Sequence, residues 1–323
     1  MPAPPDATRP MANTAYYWDE RSLMHDTGAH VERVARAERL HPDRLRGRVP
    51  KLNARPVVDP DAAQWVLRVH EKDHFDRVRR ICAEGGGLLD EGDTHAGPRS
   101  LDAALAAVSM TLSAGDGVMA REVDNAFCVT RPPGHHALPG RAMGFCLFNN
   151  VAILARYLEE KHRVGRIAIV DFDVHHGNGT QDVFWRTPEV LFVSVHQHPL
   201  WPGSGLAGEQ GAGAGLGATV NIPIAADTSE ADYLDTFEAG VLPAVDRFAP
   251  EVLLVSAGFD AHADDPLAQL NLTERGYAKI TLWLTQLAAD HAEGRLISLL
   301  EGGYALDALE RSVAAHVEAL MSA

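Results

Sequence analysis

Asp173 and His175 stand two residues apart just past a short apolar run, so an extended backbone turns both side chains to the same side. A carboxylate and an imidazole placed in that way can hold one divalent metal ion. Asp260, just past a second apolar run, can supply a third ligand. Three protein ligands leave a position open for water and substrate, which is the pattern of catalytic rather than structural zinc sites. A lone Asp-x-His reads better as two turn-capping carboxylates, Asp171 and Asp173, beside a hydrogen-bonded core histidine. Asp260 and a pair of histidines at matching positions shift the balance towards the metal.

That pair is His135-His136, reached through Arg131-Pro132-Pro133-Gly134. The prolines stiffen the approach and the glycine permits a tight backbone. Two histidines there suit general acid and base work near neutral pH, with Asp171 the nearest carboxylate to orient one ring. A surface His-His pair is the plainer alternative. Tyr304 follows Gly302 and Gly303, which give its loop the freedom to swing a phenol towards a developing oxyanion. It can equally be a packing tyrosine. Gly144-Phe145 and Trp201-Pro202-Gly203 can wall a narrow apolar channel, or simply pack in the core. The glycine-rich run 203–217 does not match G-x-G-x-x-G spacing and leads into Val220-Asn221-Ile222-Pro223 rather than a helix. It reads as a loop beside the site.

These residues need a frame that brings distant segments together. Apolar runs at 126–129, 167–170, 190–195, 252–255 and 296–300 have the length and continuity of buried parallel strands. Helical stripes alternate with them: Leu101, Leu105, Val108 and Leu112; Val151, Leu154 and Leu158; Tyr233, Phe237, Val241 and Val245. A further helix runs through Ile280, Leu284 and Leu287 with Thr273 as its cap, and a closing one carries Leu306, Leu309, Val313, Val317 and Leu320. Strands alternating with helices predict an α/β fold with a parallel sheet. Every residue singled out above lies past a predicted strand, and open parallel sheets bind ligands beyond the carboxyl ends of their strands.

The bulk properties agree with a soluble enzyme. The chain has 323 residues, 46% hydrophobic and 23% charged, with a net charge of −15. That charge argues against a nucleic-acid partner, and no apolar run reaches the roughly 18 residues that span a bilayer. Residues 1–15 are predicted to be a loose tail, with neither a signal peptide nor an anchor in the Pro- and Ala-rich first ten, and 16–323 a single domain. Cys82, Cys128 and Cys146 suit neither a disulfide framework nor a cysteine zinc site, which predicts a reducing cytoplasm.

The runs 131–137 (RPPGHHA), 144–151 (GFCLFNNV), 171–180 (DFDVHHGNGT), 256–260 (SAGFD) and 301–304 (EGGY) resemble the histone deacetylase and acetylpolyamine amidohydrolase superfamily, in that family's order. The likeness extends from about His25 to the C-terminus. It implies an arginase–deacetylase fold, a single central, mostly parallel sheet flanked by helices on both faces, and zinc-dependent hydrolysis of an N-acyl amide, with N6-acetyl-lysine the leading substrate. By resemblance Asp173, His175 and Asp260 bind one Zn²⁺ per chain, His136 is general base and acid, and His135, paired to Asp171, is its electrostatic neighbour. Tyr304 polarises the scissile carbonyl. Gly144, Phe145, Trp201, Leu267 and Gly302 line the substrate tunnel. Asp171, Asp173 and His175, with Ser194 and Val195, resemble a structural K⁺ site built mostly from backbone carbonyls. Relatives often pair around the rim, so the resemblance also implies a homo-oligomer.

Asn178 stands where class I members carry aspartate, so the partner of His136 is an asparagine, the class II pattern. Trp201 replaces a commoner phenylalanine. Leu267 replaces the glutamate of polyamine-specific relatives and cannot pair with a distant ammonium, which favours acyl-lysine over acetylpolyamine. His30-Val31-Glu32-Arg33-Val34 resembles a tunnel-mouth loop with both its prolines replaced, and Arg36 matches an arginine of an internal acetate channel. Two rivals make different demands. A di-manganese, arginase-like ureohydrolase needs extra carboxylates where this chain reads His175-His176-Gly177 and Phe259-Asp260-Ala261-His262. A non-catalytic acyl-ligand binder would show erosion of the catalytic set, which is complete here.

Overall fold

The computed structural model describes residues 11–58 and 61–322. Its strands are β1 (Thr14–Tyr17), β2 (Asn53–Arg55), β3 (Gly87–Leu88), β4 (His95–Ala96), β5 (Asn125–Cys128), β6 (Ile167–Asp171), β7 (Val190–Gln197), β8 (Thr219–Ile224), β9 (Val252–Ala257) and β10 (Leu296–Leu300). Its helices are α1 (Ala35–Arg39), α2 (Pro42–Leu45), α3 (Ala62–Val66), α4 (Lys72–Ala83), α5 (Ser100–Met119), α6 (Asn150–His162), α7 (Asn178–Phe184), α8 (Glu230–Phe248), α9 (Glu274–His291) and α10 (Leu306–Met321).

Eight strands form one parallel sheet in the order β2-β1-β5-β10-β9-β6-β7-β8; β3 and β4 make a separate antiparallel pair. The five predicted strands are β5, β6, β7, β9 and β10. They read as unbroken apolar runs because helices cover both faces. Along β6, Ile167 and Ile169 join the core packed with α5 and α6, whereas Ala168 and Val170 join the one packed with α8, α9 and α10. This is the two-residue alternation of a strand resolved into two cores. The predicted helices are α5, α6, α8, α9 and α10. Thr273 caps α9 as expected, its side chain accepting the Arg275 N–H at 3.3 Å.

Three strands of the eight-stranded sheet escaped the sequence reading, as did the short pair β3 and β4. β8 contains Pro223 and alternates in burial, and as an edge strand it tolerates both. β2 is only three residues long. β1 corrects the predicted tail: Thr14 and Ala15, placed within it, are buried strand residues paired to Asn125 and Ala126. Residues 1–10 of that tail lie outside the described residues. The predicted domain begins at 16, inside β1 and two residues after its start, because four residues are too few for a periodic signal.

A buried ion cluster ties the segment before α1 to the end of β5. Glu32 takes two bonds from Arg131, at 2.8 and 3.0 Å, and one from Arg36 at 3.1 Å, and all three side chains are fully buried. Burial alone would raise the pKa of Glu32; Arg131, His25 and Arg36 outweigh it and hold the carboxyl at about 2. Its unfolded value is higher, so this contribution to stability is complete above about pH 4.5 and is lost as pH falls towards about 2. Arg131→Met is expected to cost about 3–5 kcal/mol in denaturant unfolding, because it strands a buried carboxylate. It should also flatten the acid limb of the stability–pH curve between those two values; an unchanged limb would count against the assignment.

Candidate active site

The loops after β5, β6, β9 and β10, four adjacent strands, meet above the carboxyl edge of the sheet. Asp173, His175 and Asp260 come together there, with ligand atoms all within 4.8 Å of one another, the one such three-residue cluster among the described residues. His175 Nδ1 lies 3.1 Å from Asp173 Oδ1 and 3.1 Å from Asp260 Oδ2. The carboxylates are themselves fixed: Val174 N–H donates to Asp260 Oδ1 at 2.9 Å, and Gly302 N–H to Asp173 Oδ2 at 2.8 Å. A Cβ on Gly302 would collide with both carboxylates, so only glycine lets that loop close over them. Burial disfavours charge on His175, but the two carboxylates prevail and push its pKa up to about 10. Two buried carboxylates and one imidazole, all nitrogen and oxygen donors facing one point, fit a single divalent cation such as zinc. The cation would take the place of the shared proton.

His135 and His136 lie against each other with ring centroids 3.9 Å apart and planes tilted by 40°, yet their surroundings differ. His135 Nδ1 donates to Asp171 Oδ2 at 2.9 Å. Burial opposes its charge, but Asp171 overrides this and holds the ring's pKa well above the histidine range. His136 Nδ1 donates to Asn178 Oδ1 at 2.8 Å, a neutral partner. Burial, reinforced by His135 and His175, holds its pKa well below that range. Adjacent titratable groups with pKa values driven apart mark the acid and base of a site. Behind them Glu301 accepts the N–H groups of Gly134 at 2.7 Å and His135 at 3.2 Å, its own pKa pushed up by burial to about 7.

A cavity of about 260 Å³ opens onto these groups, lined by His136, His175, Tyr304, Phe145, Leu267 and Trp201, with Gly144, Leu200 and Asp93. The sequence marked most of these. Leu200 and Asp93 it did not: nothing separates Asp93 in the stretch DEGDT from any solvated turn acid. Gly144 and Phe145 both have positive φ, 57° and 69°, between the bridged residues Met143 and Cys146, which is the signature of a two-residue type I′ turn. The turn presents Phe145 edge-on to Tyr304 at 5.8 Å and to His30 at 4.6 Å, so the loop at 30–34 does reach the mouth. Trp201 is 47% exposed and stands edge-on to His136 at 4.7 Å. A Cβ on Gly144 would come within 2.5 Å of both His136 and Trp201. Gly144→Ala is therefore expected to lower kcat/KM by about 10²-fold, the cost of misplacing a catalytic ring by roughly an ångström. The thermal midpoint should also fall by a few degrees, because alanine is strained at φ 57°, and wild-type kinetics would contradict the geometry.

The sequence family described as the histone deacetylase domain matches residues 30–320. The chain belongs to that family. Within the histone deacetylase family it is 36% identical over 314 residues to a histone deacetylase-like amidohydrolase of Pseudomonas aeruginosa, a match covering 90% of this chain and 81% of the relative. It is 42% identical over 242 residues to a probable deacetylase of Archaeoglobus fulgidus, covering 75% and 67%. The solved structure of the HDA15 HD domain superposes with a TM-score of 0.89 at 33% identity, over 96% of this chain and 88% of that one. The fold is thus the arginase–deacetylase fold that the motifs implied, and the chain is a deacetylase-family enzyme.

Proposed function

We propose that the chain is a zinc-dependent deacetylase that hydrolyses N6-acetyl-lysine to lysine and acetate. One observation carries this reading: two adjacent histidines with unlike partners, Asp171 and Asn178, and a three-ligand cluster meet at an aromatic-walled cavity. Asp173, His175 and Asp260 would hold the zinc, which when bound would supply Lewis-acid polarisation of an acyl carbonyl and a more acidic water. His136, with Nδ1 committed to Asn178, offers Nε2 to take the proton from the attacking water and return it to the departing amine. His135, charged against Asp171, supports the negative charge that builds in the transition state. Tyr304 donates its phenolic O–H to the developing oxyanion. Its raised pKa, caused by burial, keeps that proton in place. Phe145 and Trp201 hold the alkyl stem.

Leu267 at the cavity wall offers no charge to a distal ammonium, which favours acyl-lysine over acetylpolyamines. We read 16–323, extended back to include β1, as one catalytic domain, acting as a homo-oligomer. The K⁺ site at Asp171, Asp173, His175, Ser194 and Val195 is kept as part of the proposal; Asp171 and Ser194 are ladder partners between β6 and β7. No helix among the described residues is long and apolar enough to cross a membrane. The three cysteines are buried and free, in keeping with the proposed cytoplasmic location. The test is a panel of acetyl-lysine peptides and acetylpolyamines on protein whose metal content is measured. Chelator-sensitive turnover of the peptides at one zinc per chain is expected. A preference for polyamines, or two manganese ions per chain, would sink the reading.

A further inference from the structure

Asp265 is 7% exposed in the loop after β9, five residues past Asp260. Three backbone N–H groups converge on its carboxylate. Leu267 donates to Oδ1 at 3.1 Å; Tyr304 and Ala305 donate to Oδ2 at 2.7 and 3.2 Å. One buried acid thus grips two loops, one carrying an apolar cavity wall and the other the phenol.

Local sequence explains why such a grip is needed. Tyr304 follows two glycines, the second at φ 118°, so its own segment does little to fix it. The loop is held from outside: Gly302 N–H by Asp173 at 2.8 Å, Gly303 C=O by Arg36 at 2.7 Å, and then Tyr304 N–H by Asp265. α10 begins just beyond, and Ala305 at its N-cap position has no side-chain acceptor. Asp265 accepts the N–H of that N-cap residue from another loop and sets a negative charge near the positive end of the helix. Burying a carboxylate is costly unless donors compensate it, and here three do.

We propose that Asp265 is a positioning residue for the deacetylation: it holds the Tyr304 phenol at a set distance from the Leu267 wall, so that the O–H meets the scissile carbonyl. This rests on Tyr304 being the oxyanion donor. Asp265→Asn is nearly isosteric but sets an NH₂ where N–H donors converge, so at least one of them loses its acceptor.

The experiment is a double-mutant cycle on zinc-loaded protein, with kcat, KM and zinc content measured for an acetyl-lysine peptide. Asp265→Asn should lower kcat by about 10- to 100-fold in the wild-type background with zinc unchanged. In the Tyr304→Phe background it should cost less than about threefold, because the group it positions is gone. The wild-type loss should also shrink on a trifluoroacetyl-lysine peptide, whose more electrophilic carbonyl needs less help from the phenol. Equal losses in both backgrounds, or no loss at all, would overturn the proposal while leaving the Tyr304 reading intact. An unaltered kcat in Tyr304→Phe alone would overturn both. If thermal melts show that Asp265→Asn does not fold, Asp265→Ser, which keeps a smaller acceptor, is put through the same cycle.

Discussion

His136→Ala is expected to lower kcat by about 10²- to 10⁴-fold, the usual weight of one general acid–base group, with KM and metal content little changed. The size of the effect comes from its position. His136 lines the cavity, lies against His135 and stands edge-on to His175 at a centroid distance of 5.9 Å; His175, the other imidazole lining the cavity, is taken up by Asp173 and Asp260. His135 cannot substitute, because Asp171 keeps it charged and so without a lone pair to offer. The pH profile gives a second check. A group whose pKa lies below 6.5 is already neutral at pH 6.5, so the acid limb of kcat/KM should fall at lower pH than for an ordinary histidine. A bound cation beside His136 repels its proton and acts in the same direction. Asn178→Asp places a carboxylate on Nδ1 and should shift that limb upwards. A limb that stays put would remove His136 from the base role.

The second large effect is at the proposed metal ligands. Asp260→Ala should reduce turnover to the level of chelator-treated wild type, a loss above about 10²-fold, since even partners one step removed from a metal cost 10–100-fold. Asp260 contributes an oxygen at the shared point and anchors the loop through the Val174 N–H. Asp260→Asn preserves the shape and the loop bond but removes a charge, so it separates loss of metal from loss of structure. Wild-type metal uptake should be proton-linked. With the pKa of His175 at about 10 before an ion enters, binding near neutral pH must expel a proton, and affinity should weaken as pH falls. Calorimetry in buffers of different ionisation enthalpy reads that proton directly; metal uptake with no proton release would contradict the shared-proton geometry.

How much of the fold and the site was legible in the sequence depended on length and repetition. β6 and β9 show as continuous apolar runs, and residues just past such a run sit at the carboxyl edge, so Asp173, His175 and Asp260 could be brought together from the sequence alone. The split between His135 and His136 was readable only in part: the sequence offered Asp171 for one ring, while the neutral character of the other comes from burial, which no local pattern encodes. Asp93, Asp265 and Glu301 stayed outside the reading of roles for a related reason. Each works through backbone groups or by facing a cavity, and a carboxylate that accepts N–H bonds from a loop 39 residues away looks the same in sequence as one in water. β1 was lost because four residues next to a Pro- and Ala-rich stretch are too few to show a strand's alternation.

The place of β10 in the sheet has a consequence for synthesis. The last of this sheet's eight strands to leave the ribosome lies in its middle, between β5 and β9. Until it emerges the chain can build only two half-sheets, β2-β1-β5 and β9-β6-β7-β8, each with an unpaired apolar edge open to a neighbouring nascent chain. The proposed metal ligands ride on one half, the paired histidines on the other, and Tyr304 on the missing piece. A nascent chain halted before Leu296 therefore holds nearly every reactive side chain and none of the reactivity, because the strand that joins the halves is also the one that completes the catalyst.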